Sequence, residues 1–109
     1  MRIELLYWDG CPSHPQALRE LQEAMDELGL DPQGVEVREV DTDDAAQDER
    51  FVGSPTIRID GAEAFDPGDE PVGLACRVYR LRDGRISAVP DRDDVRDALR
   101  RAMTEQESV

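Results

Sequence analysis

Apolar residues crowd the start of the chain on both sides of an extended backbone, with Ile3, Leu5 and Tyr7 on one face and Leu6 and Trp8 on the other. That pattern predicts a central strand over 2–8, covered from above and below. A loop follows at Asp9-Gly10-Cys11-Pro12, and then Leu18, Leu21, Met25 and Leu28 recur at three- and four-residue steps, the stripe of an amphipathic helix that stops at Gly29. Val35, Val37 and Val40 mark a second strand ending at Asp41, after which Thr42 can cap a short helix through Glu49. Ile57 and Ile59 alternate with Arg58 and Asp60 in a half-buried strand that turns at Asp60-Gly61, with a short return strand at 63–65. Prolines, glycines and acids make 66–73 an excursion loop. A hairpin of strands 77–82 and 86–89 turns at Asp83-Gly84, and Pro90-Asp91 opens a last helix with Val95, Ala98, Leu99, Ala102 and Met103 on its apolar face.

These elements within 109 residues predict one domain over 1–106, with 107–109 a frayed tail. The 26 acidic residues against 13 basic ones leave a net charge of -13, which repels phosphate backbones and anionic lipid headgroups, so neither nucleic acid nor a membrane surface is an expected partner. Too much charge is spread along the chain for a membrane-spanning run, and the segment after Met1 is too short and acidic for a secretory signal, so the expected compartment is the cytoplasm. Every basic residue is arginine, a compositional bias that makes an arginine at any one position uninformative.

Candidate chemistry rests on two cysteines, Cys11 and Cys76, too far apart in sequence to form a CxxC pair or a zinc ribbon. Cys11 lies between the first strand and first helix, where the positive end of a helix dipole favours the thiolate. Ser13 followed by Gln16 has the form of a capping box, with Pro15 tolerated in the first turn. That would start the helix after Cys11 and weaken its activation. Trp8 is a candidate pocket wall beside the thiol. Cys76 comes near Cys11 if the return strand at 63–65 is formed and the loop after it carries the chain back; otherwise it is a structural cysteine at the far end.

The Cys11-Pro12 pair between the first strand and helix, together with Gly53-Ser54-Pro55-Thr56-Ile57 before the third strand, resembles the thioredoxin superfamily. The resemblance implies an α/β, thioredoxin-like fold: a central mixed sheet flanked by helices, here with an inserted loop and hairpin before the last helix. It implies an exposed, reactive Cys11 and a cis Pro55 facing it, with the backbone of Ser54 free to pair with an extended peptide or a thiol-bearing ligand. The chain departs from the two-cysteine pattern at His14, which stands where a second cysteine would resolve the mixed disulfide. His14 is then either a proton carrier or imidazolium beside the thiol, or a surface residue without a role. The expected catalytic residues are therefore Cys11, His14 and Cys76, and the expected substrate contacts Trp8, Pro12, Ser54 and Pro55. No cofactor is needed for thiol–disulfide exchange, whose partners would be a protein disulfide or a small-molecule thiol. Two other readings stay open: a soft-metal or thiophile binder holding mercury, copper(I) or arsenic between Cys11 and Cys76, and a non-catalytic adaptor.

Overall fold

The computed structural model describes residues 1–107. The apolar run at the N-terminus forms strand β1, Ile3–Tyr7, at the centre of a mixed sheet. Helix α1 (His14–Glu27) then leads through a 3-10 turn at Pro32–Gly34 into strand β2, Val35–Glu39, which pairs parallel to β1 with Ile3 opposite Val35. Helix α2 (Asp43–Glu49) is followed by strand β3 (Thr56–Ile59), antiparallel to β1, and β4 (Ala62–Glu63), antiparallel to β3. The sheet order is β2-β1-β3-β4. A separate hairpin of β5 (Tyr79–Arg80) and β6 (Ile86–Ser87) precedes helix α3, Arg92–Glu107.

The two faces of the sheet are built differently, because strand residues alternate sides. Ile3, Leu5, Ile57 and Ile59 meet Ala17, Leu21, Ala24 and Met25 of α1 and Val95, Ala98 and Leu99 of α3 in the larger core. On the opposite side Leu6 packs with Val40, Ala46 and Phe51, joined at the margin by Trp8, Val72 and Leu74. Helix α2 is short and leaves the rest of this side to charge. Buried Glu4 pairs with Arg38, Arg38 and Arg58 both pair with Glu49, and Glu63 bridges Arg58 to Arg77. Each carboxylate is held by at least one guanidinium, which answers the desolvation cost of charges laid across a sheet.

Several elements are shorter than the residue pattern predicts. The return strand covers Ala62–Glu63 instead of 63–65, and the hairpin strands keep two residues each where 77–82 and 86–89 were expected. Val37 is 44% exposed on β2, an edge strand of the sheet. Ser13 does precede α1, but its side chain makes no capping hydrogen bond; Thr42, in contrast, caps α2 by accepting from the Ala45 amide at 3.0 Å. Helix α3 ends at Glu107, and positions 108 and 109 of the expected tail lie outside the described residues. No helix among the described residues is long and apolar enough to cross a membrane.

Candidate functional site

At the C-terminal end of β1 the chain turns sharply: the Cys11 amide donates to the Trp8 carbonyl at 3.0 Å. Gly10 lies against the Trp8 indole, where a β-carbon would collide with the ring, so only glycine allows this turn. Trp8 packs at the margin of the cluster of Leu6, Val40, Ala46 and Phe51, as do Val72 and Leu74 of the returning loop.

Cys11 is joined to Cys76 by a disulfide that spans 65 residues of sequence, with α-carbons 5.5 Å apart. Closing a loop of that length restrains the unfolded chain by about 4 kcal/mol. Strand β4 is formed, and the loop after it returns the chain to the end of β1. The segment then runs beside the cis Ser54-Pro55 bond. The Ser54 amide donates to the Ala75 carbonyl at 2.8 Å, and its carbonyl accepts from the Arg77 amide at 2.9 Å, a parallel bridge between Ser54 and Cys76. One step earlier the Gly73 amide donates to the Phe51 carbonyl at 2.9 Å. The backbone of Ser54 is therefore occupied by the chain itself and is not free for a peptide.

The exposures of the two cysteines reverse the expectation. Cys11 is 3% exposed, covered by the segment it is bonded to, whereas Cys76 is exposed. Around Cys11 the polar neighbours of Sγ are the Ser13 hydroxyl at 3.6 Å and the Ser54 carbonyl oxygen at 3.7 Å. Ser13 thus turns its hydroxyl to the sulfur in place of capping the helix.

No family model, curated protein or solved structure matches the chain. His14, the first residue of α1, stacks on Tyr7 with ring centroids 4.0 Å apart, and its Nδ1 is buried without a hydrogen-bond partner among the described residues. The Cys11 sulfur, which carries no proton in the disulfide, can accept from the Ser13 hydroxyl and lies beside the Ser54 carbonyl oxygen. Tyr7 is itself raised above the usual tyrosine pKa, first by burial and then by the charge of Glu39, which accepts its hydroxyl proton at 3.4 Å. Pro12 is exposed at the rim, and Pro55 is buried beneath the site.

Arg77 and Tyr79, which the sequence did not single out, hold the cysteine segment in place together with Gly53. Arg77 is 6% exposed and donates to Glu63 and to the Phe65 carbonyl, both at 2.9 Å, while its guanidinium lies 4.8 Å from the centroid of the Tyr79 ring. The Tyr79 hydroxyl donates to the Pro55 carbonyl at 2.5 Å, and burial raises its pKa well above the usual tyrosine value. Gly53 has φ +129, and a β-carbon there would stand 3.0 Å from that of Arg77, so this approach needs glycine. The signal for Arg77 and Tyr79 was their alternation with Cys76, Val78 and Arg80, but a uniformly arginine-rich chain hid which arginine turns inward.

Proposed function

We propose that the chain is a thiol:disulfide oxidoreductase of the thioredoxin superfamily, with Cys11 and Cys76 as its redox pair. The observation that carries this reading is the disulfide itself, which joins the cysteine after β1 to one brought 65 residues along the sequence to the same cis-proline. The order of strands and helices and the Cys-Pro and Ser-Pro positions support the superfamily assignment.

Exposure sets the order of events. A partner thiolate attacks Sγ of the exposed Cys76, forming a partner–Cys76 disulfide and breaking the Cys11–Cys76 bond, so that Cys11 leaves as a thiolate. The Ser13 hydroxyl, 3.6 Å away, can then donate to that thiolate. A second partner thiolate attacks the partner's sulfur and releases the Cys76 thiolate. Two electrons pass from the partner dithiol to the protein, and the reverse sequence reduces a partner disulfide. Cys76 thus carries the mixed disulfide, and Cys11, which has His14 and not a second cysteine three residues on, resolves it.

The test is turnover of a disulfide substrate such as insulin with dithiothreitol as reductant. Cys76→Ser should abolish turnover, and Cys11→Ser should trap a mixed disulfide on Cys76 visible as added mass. Turnover at the original rate in both variants would overturn the reading. In the same reduced proteins, tight mercury(II) binding without turnover would favour the soft-metal alternative, since soft thiolate pairs select such ions.

A further inference from the structure

The chain after the disulfide alternates strictly: Cys76, Val78 and Arg80 face outward, while Arg77 and Tyr79 are buried. In the hairpin Ile86 stands opposite Arg80, on the same face. Val78 and Ile86 are 64% and 61% exposed, the most exposed of the large apolar residues among the described ones, and both lie on the face that carries Cys76. Exposed Ala88 continues that face two residues beyond Ile86. Arg80 donates to the Gly84 carbonyl and forms no ion pair with a carboxylate among the described residues. The outward face of the hairpin is thus apolar with one cation, on a molecule whose net charge is -13.

We infer that this face is the docking surface for the partner whose thiol exchanges with Cys76, and that the partner is a protein segment in extended conformation bearing aliphatic side chains near its cysteine and a carboxylate beyond them. The inference rests on the proposed redox reading and gives it a substrate class. A thiol that reaches Cys76 brings its flanking residues onto Val78, Ile86 and Arg80, because these share the outward side of the same hairpin. In an extended segment, residues two positions from the cysteine point the same way as its sulfur and cover this face. Small anionic thiols such as glutathione gain nothing from the apolar positions and meet the repulsion of the acidic molecule.

The experiment uses the oxidised full chain and two synthetic peptides. One carries leucine two positions either side of a single cysteine and a C-terminal glutamate; the other has glycine in place of both leucines. The rate of mixed-disulfide formation is read by mass, each divided by the rate with dithiothreitol on the same protein. The leucine peptide should react about tenfold faster than the glycine peptide, the scale of covering two aliphatic side chains in part. In the double variant Val78→Ser with Ile86→Ser, whose thermal melt checks the fold, the ratio should fall to about one. Equal rates for the two peptides on the original protein, or a preference that survives in the variant, would overturn the docking surface. A disulfide that no thiol opens, dithiothreitol included, would instead overturn the redox reading beneath it.

Discussion

Ser54 and Cys76 stand side by side in a parallel bridge, with both backbone polar groups of Ser54 taken by the residues flanking Cys76. The chain occupies with its own segment the position beside Pro55 where the superfamily resemblance puts an extended ligand. Buried amides and carbonyls of this kind are paired almost without exception, so opening the segment costs both bonds unless another chain replaces them.

The first prediction follows from that covering. After reduction, Cys76 should be alkylated by iodoacetamide near neutral pH several times faster than Cys11, because Cys11 is 3% exposed and lies ahead of the helix start at His14. Peptide mapping with light and heavy reagent separates the two. Faster labelling of Cys11 would mean that reduction alone lifts the segment away from Ser54.

Arg77 is predicted to be the main anchor of that segment. Arg77→Met keeps much of the volume but removes the donors to Glu63 and the Phe65 carbonyl, and should cost about 3 kcal/mol as breaking a buried ion pair does. Urea unfolding of the oxidised protein measures it. The same variant, reduced, should label faster at Cys11, a change that a loss of global stability without local release would not produce.

Acid should destabilise the fold in a defined window. Hydrogen bonding from Arg38 holds the Glu49 carboxyl below the usual carboxylate range, as Arg96 does for Glu27 and Arg82 for Asp97. A lowered folded-state pKa gives stability that is complete above the unfolded value near 4 and is lost as pH falls through the folded one. Glu20, raised by burial, works in the opposite sense. Melting temperatures should therefore hold level from pH 7 to about 5 and decline below about 4. Glu49→Gln should lower the midpoint at pH 7 and flatten the decline. A decline that begins well above pH 5 would overturn the assignment to these carboxylates.

Much of the layout is local and was legible as such. The two-faced run at Ile3–Tyr7, the stripe of α1, the Thr42 cap and the Asp60-Gly61 turn each declare themselves through a few neighbouring side chains, because helix and strand periods and turn chemistry are properties of short segments. The positions of Cys11 and of Ser54-Pro55 could be marked for the same reason.

What only the tertiary structure decided was which of these positions meet, and which are covered. The proximity of Cys76 to Cys11 hung on β4, a strand of two residues whose formation depends on its register with β3 and leaves almost no periodic trace. Burial of Cys11 and Arg77, and exposure of Cys76, Val78 and Ile86, arise from one segment pairing with Ser54 across more than twenty residues of chain. The alternation along 76–80 is the same whichever side faces the core. Only the contact with Pro55 and Glu63 turns Arg77 and Tyr79 inward, and so presents Cys76 to solvent.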